Sequence, residues 1–245
     1  MAHSNITAER SLEPPIWTFL PGLHGSDELF GAIQDRLPDD IEADFVNLPP
    51  DGKQDYDTLC KWLDDELSKG RRRLLIAESF SGPLAMRMAN LRPDEISGLV
   101  LAASFCDAPL NPGLALLPLR PLIMVKPPRK ALRHFLIGED ATDADVAQIR
   151  AVVQSMPKST MSKRIRTILQ LQETDNPPLP GLPMLILQAN NDNIVPWEVQ
   201  RKLEACYPDA DSQWIESPHL ILQRCPGTCI KRIAKFARKI DVSTS

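Results

Sequence analysis

The sequence predicts an α/β fold: a mostly parallel sheet of about six strands, helices on both faces and a helical cap insertion. Three observations predict it. Short apolar runs alternate with stretches of helical periodicity, the pattern of parallel strands joined by helical crossovers. The alternation stops between 104 and about 180 and then resumes. A chain of 245 residues, 43% of them hydrophobic, suits one large domain with a substantial core.

Taken in order, Ile16-Trp17-Thr18-Phe19-Leu20 is an apolar run closed by Pro21-Gly22, a buried strand and its turn. A helical pattern covers about 27–37 and is stopped by Pro38. Ala43 to Leu48 reads as a second strand, ended by Pro49-Pro50. From Asp55 to Lys69 the apolar positions Leu59, Trp62, Leu63 and Leu67 have helical spacing, and Gly70 closes the helix. Leu74 to Ala77 is a third strand, Gly82 to Leu91 a helix, and Ile96 to Ala103 a fourth strand. The proline-rich stretch that follows leads into helical patterns near 129–137, 142–155 and 158–172. Strand–helix alternation returns with Pro183 to Ala189, a helix from Trp197 to Cys206, a strand near 212–215 and a last helix from His219 onward. Residues 1–103 and 181–245 are therefore expected to form the core. Residues 104–180 are expected to be a cap folded over the carboxyl ends of the strands, where such sheets bind ligands.

The charge pattern excludes some functions. Lys and Arg number 28 against 32 Asp and Glu, a net charge of −4 spread along the chain. A nucleic-acid binder concentrates basic residues on one face. The densest basic run, Arg71-Arg72-Arg73, precedes an apolar strand and reads as a solvated strand entry, and the basic residues from Lys231 to Lys239 read as the outer face of an amphipathic helix. Five cysteines, odd in number, with no apolar leader in residues 1–15, imply reduced thiols and a cytoplasmic location. Cys225 and Cys229 lack further ligands at metal-binding spacing, and Pro226-Gly227 between them marks a turn or a helix start. No apolar stretch is long enough to span a bilayer.

The third strand runs into Ala77-Glu78-Ser79-Phe80-Ser81-Gly82 and then a helix. So tight a strand-to-helix turn holds its apex residue in a strained conformation and needs small neighbours. Ala77 and Ser81 stand where the G-x-S-x-G pattern has glycines, and Gly82 comes one residue late. Ser79 is thus a candidate nucleophile, and Phe80 N–H a candidate oxyanion donor. Serine also favours helix N-caps, so this segment alone supports either reading. Ser81 would already lie inside the helix.

A serine hydroxyl needs a base. Of the four histidines, His3 lies near the terminus, His134 in the insertion, and His24 after the first strand. His219 follows the last strand, where the chain returns to the carboxyl edge. A polar helix start would also explain it. Asp192, in the loop after the strand ending at Ala189, would orient the imidazole. A simple turn former would also fit there. Asp107, after the fourth strand, is the alternative acid. Three such residues at three strand ends, in the chain order Ser, Asp, His, form a stronger signal together than singly.

With these residues in view, the chain from about Ile16 to Ala237 resembles the α/β-hydrolase superfamily. Phe19-Leu-Pro-Gly-Leu-His-Gly-Ser26 is similar to the L-P-G-L-x-G-[ST] oxyanion segment of small hydrolases. Asp192-Asn-Ile-Val-Pro196 is similar to the D-x-x-V-P after the acid strand, and Ser217-Pro-His-Leu-Ile-Leu-Gln223 to the segment around the catalytic histidine. The resemblance implies a Ser79–His219–Asp192 triad and an oxyanion hole built from the Leu23 and Phe80 N–H groups. His24 would be a bystander within reach of substrate. It implies no metal or organic cofactor. The superfamily often opens with an antiparallel hairpin, and here the sequence departs from it, because residues 1–15 are too short and too proline-bearing to supply one. The expected activity is that of a cytoplasmic serine esterase on a small-molecule ester; an apolar pocket roof from the insertion would suit a small or medium acyl chain, carrier-protein-bound methyl esters included. Thioesters and carbon–carbon bonds β to a carbonyl are cleaved by the same triad elsewhere in the superfamily. A non-catalytic ligand-binding protein would keep the fold without turnover. Leu114, Leu116, Leu117, Leu119, Leu122, Ile123, Met124 and Val125 would either roof the pocket or merely pack the insertion onto the core.

Overall fold

In the computed structural model, which describes residues 13–109 and 127–243, strands β1 (Ile16–Leu20), β2 (Ala43–Phe45), β3 (Arg73–Glu78), β4 (Ile96–Ala102), β5 (Met184–Ala189) and β6 (Asp211–Ile215) form one sheet. Their order is β2-β1-β3-β4-β5-β6 and every neighbouring pair is parallel. The helices are α1 (Gly31–Gln34), α2 (Tyr56–Glu66), α3 (Ser81–Leu91), α4 (Arg129–Leu132, running on into a wider π-type turn over Arg133–Ile137), α5 (Asp143–Ser155), α6 (Lys158–Gln170), α7 (Trp197–Cys206), α8 (Ile221–Arg224) and α9 (Pro226–Ser243). Strand and helix alternate as the sequence predicts, and six strands match the expected number.

Because the central strands β1, β3, β4 and β5 are buried on both sides, alternate residues feed two cores. Leu75 and Ala77 of β3, with Leu99 and Leu101 of β4, pack with Leu59 and Leu63 of α2 and Leu84 and Met88 of α3. Leu74 and Ile76, with Val100 and Leu185, pack with Ile33 of α1 and Ile233 and Phe236 of α9. A third cluster joins Leu132, Val146, Ile149 and Val152 of α4 and α5 to Leu29 and Leu220 of the core.

Several boundaries differ from the sequence reading. The helix expected over 27–37 is a 3₁₀ turn (Asp27–Leu29) followed by α1, because Phe30, at φ −89° and ψ 2°, leaves helical geometry. Its buried ring contacts Phe19 and Phe45. Strand β2 stops at Phe45 rather than Leu48 because β1, its only neighbour among the described residues, turns away at Pro21. The last helix begins after His219 and breaks at Cys225, whose φ of −126° and ψ of 45° reflect the clash a following proline imposes. Pro226 then opens α9, the position that tolerates a missing N–H. Arg73 is not solvated as expected: it is 2% exposed and donates to Asp44 (2.5 Å), Thr18 (2.8 Å) and Ser68 (2.7 Å). The apolar run 114–125 lies outside the described residues.

The candidate active site

The sheet order reverses between β1 and β3: from β1 the chain moves outward to β2, and from β3 it moves the other way to β4. Such a switch point leaves a crevice at the carboxyl edge. The loop after β1 and the turn after β3 border it.

Ser79 follows β3 directly and has φ +48°, a left-handed conformation that non-glycine residues rarely adopt. Its N–H donates to Ala102 O at 2.9 Å, and its carbonyl accepts from Ser104 Oγ at 2.8 Å and Gly82 N–H at 3.1 Å. The late glycine of the turn has a steric cause. A Cβ on Gly82 would sit 1.8 Å from Ser104 Oγ, so Ser104 and any side chain at 82 exclude one another. Ser81 begins α3, and its hydroxyl donates to Pro21 O at 2.5 Å, tying the turn to the loop after β1.

His219 Nε2 lies 3.0 Å from Ser79 Oγ, and its Nδ1 lies 2.7 Å from Asp192 Oδ2. The other Asp192 oxygen accepts from the Ile194 and Val195 N–H groups at 2.8 and 2.9 Å, which fixes the carboxylate. With Nδ1–H donating to Asp192, Nε2 is left to accept the serine proton. Burial alone would pull the His219 pKa down, but the Asp192 carboxylate, with Glu78 beyond it, raises it above the ordinary value. The alternative acid, Asp107, is taken up elsewhere, paired with Lys202 at 2.5 Å. His134 is exposed beside Glu139, and His3 lies outside the described residues. Leu23 and Phe80 flank the serine. Among the described residues, neither backbone N–H finds an acceptor.

The sequence reading missed Glu78. It ends β3 on the face covered by α8, is fully buried, and accepts from Gln223 Nε2 at 3.2 Å while Oε1 has no partner among the described residues. Burial pushes its pKa up to about 7, against the pull of His219, Gln223 and the Gly22 amide. A charged residue closing an otherwise apolar strand was the available signal.

A cavity of about 400 Å³ lies over Ser79 and His219. Leu29 and Phe105 line it from the core, and Leu132, Leu136, Ile149, Val153, Met161 and Ile168 from α4 to α6. His24 also lines it, its pKa lowered to about 4 by burial, so the ring is neutral at neutral pH. Phe135, 43% exposed, stands at the mouth. Among the described residues no group of three His, Cys, Asp or Glu could hold a metal ion, and the five cysteines are free.

Residues 51–221 match the family described as Serine aminopeptidase, S33. The chain belongs to this family of α/β hydrolases. Solved α/β hydrolases share its fold. A thermophilic esterase from Thermogutta terrifontis superimposes with a TM-score of 0.75 at 18% identity, covering 94% of this chain and 91% of that one. An enol-lactonase from Burkholderia xenovorans LB400 gives 0.75 at 15% identity, over 92% of each chain. A structure from a study of carboxylesterases of Nitrososphaera gargenis gives 0.78 at 11% identity, over 95% and 93%. A search of curated protein sequences returned no match. This α/β hydrolase contains no helix, among its described residues, long and apolar enough to cross a membrane.

Proposed function

We propose that this hydrolase cleaves carboxylic esters with small or medium apolar acyl chains through an acyl-enzyme on Ser79. One observation carries the reading: a hydrogen-bonded line from Ser79 through His219 to Asp192 lies beneath a cavity walled by aliphatic side chains. In the first half-reaction Ser79 Oγ attacks the ester carbon while its proton passes to His219 Nε2. The Leu23 and Phe80 N–H groups receive the developing oxyanion. His219 then protonates the departing alkoxide, and water repeats the sequence to free the acid. These steps require neither a metal nor an organic cofactor.

The acyl chain would occupy the space beneath α4 to α6, where no charged side chain is found among the described lining residues. Residues 104–180 act in this reading as the cap, and the enzyme works in the cytoplasm on a small-molecule substrate. Fold neighbours that include an esterase and an enol-lactonase support ester chemistry. The test is kcat/KM for p-nitrophenyl esters of increasing acyl length, beside matched thioesters and β-diketones. Turnover rising with length to a medium chain and abolished in Ser79→Ala is expected. Ester turnover that survives in Ser79→Ala, or a preference for thioesters or C–C substrates, would overturn the assignment.

A further inference from the structure

Arg164, on the middle of α6, is the most deeply buried arginine among the described residues, at 1% exposure. Its three nitrogens reach three neutral acceptors: Nε donates to Gln54 Oε1 at 2.8 Å, Nη1 to Leu23 O at 2.9 Å, and Nη2 to Pro49 O at 3.0 Å. Its guanidinium carbon also stands 5.7 Å from the centre of the Phe80 ring, which stacks on the Tyr56 ring with centroids 5.2 Å apart. No carboxylate pairs with it among the described residues, and the stretch 110–126 contains no Asp or Glu. A buried guanidinium without a counter-ion is costly. The loop after β1 is also shaped around it. Gly25, at φ +77°, is in a conformation that favours glycine, and a Cβ there would also sit 1.9 Å from Nη1, in the arginine's seat.

We propose that Arg164 is a positioning residue for the reaction, orienting the Leu23 and Phe80 amides and placing a fixed positive charge behind the oxyanion they receive. The inference rests on the serine-hydrolase reading above. Holding the Leu23 carbonyl fixes the backbone on one side of the oxyanion site, and the cation over the Phe80 ring fixes the other. A ground-state ester is neutral, whereas the tetrahedral state is an anion. A fixed cation therefore acts on the second and not the first. Arg164 itself does not line the cavity, so it touches no substrate. Burial lowers its pKa only to about 10, which leaves it charged at neutral pH. The rest of the α6 face has its own anchors: Thr160 to Pro50 O at 2.5 Å, Lys163 to Gly52 O at 2.6 Å and Thr167 to Gln54 O at 3.0 Å. These anchors do not involve position 164.

The test compares the full-length enzyme with Arg164→Met and Arg164→Lys. Each is assayed for kcat and KM on the best ester. Each is also titrated with an alkyl trifluoromethyl ketone, which forms a charged hemiketal with the serine, and with the matching methyl ketone, which binds uncharged. Arg164→Met is expected to lose about 10- to 100-fold in kcat and a like factor in trifluoromethyl ketone affinity, with KM and methyl ketone affinity within about threefold. Arg164→Lys should fall between. Folded variants that keep kcat and trifluoromethyl ketone affinity within about twofold, or that lose both ketones equally, would overturn the assignment. If Arg164→Met does not fold, the same ratio in Arg164→Lys decides. Failure of wild-type Ser79 to react with a fluorophosphonate would instead defeat the underlying reading, and the Arg164 role with it.

Discussion

Asp192 gives one carboxylate oxygen to two backbone N–H groups and the other to His219, so its charge is held in place before any substrate arrives. Asp192→Asn would keep the shape but present an amide to Nδ1, favouring the tautomer that cannot take the serine proton. A loss of about 10³- to 10⁴-fold in kcat is expected from steady-state kinetics, with little change in KM. Less than a tenfold loss would remove Asp192 from the relay. Glu78 makes a separate prediction. Its pKa is raised to about 7 in the folded protein from an ordinary 4.5. The folded state therefore holds this proton more tightly than the unfolded chain, and stability is lost as pH rises from 4.5 through about 7. Glu78→Gln lacks that loss, so its melting temperature should gain on wild type between pH 5 and 8. The same variant removes a negative charge that supports the His219 imidazolium, so the acid limb of kcat/KM should move to lower pH. An unmoved limb would mean that Glu78 is electrostatically silent.

At the scale of elements, the turn between β3 and α3 stands on the exclusion between Gly82 and Ser104. Gly82→Ala should force Ser104 off the Ser79 carbonyl, costing about 1–3 kcal/mol by overpacking and lowering kcat as the nucleophile shifts. A denaturant midpoint equal to wild type would contradict this. Most elements were legible from the sequence because strand and helix periods differ: α7 (Trp197–Cys206) and β1 (Ile16–Leu20) lie where the spacing put them. The misses share a cause. Phe30 leaves helical geometry to join an aromatic cluster built from two strands, and β2 ends where its partner turns away, neither of which is written locally. The break at Cys225 was readable, since a proline constrains the residue before it. The cavity wall came from residues 131–169 of α4 to α6, where helical spacing signals burial but not what is buried against.

Across the whole molecule, the parallel sheet puts every strand's carboxyl end on one edge and so brings together residues far apart in sequence: Leu23, Ser79, Asp192 and His219. Each stands just beyond a strand end, and that placement made the candidate site readable in one dimension. Arg164 and Glu78 were not readable in this way. Their significance is depth, a buried charge that finds no counter-ion among the described residues in one and a buried acid behind the histidine in the other, and depth depends on how the helices cover the sheet. The central claim is that Ser79 is an activated nucleophile. Its most direct test is to treat the folded enzyme with a fluorophosphonate probe and map the adduct by peptide mass spectrometry. An adduct on Ser79 that disappears in His219→Ala is the expected result. A folded enzyme that stays unlabelled, or takes the label on another residue, would contradict it.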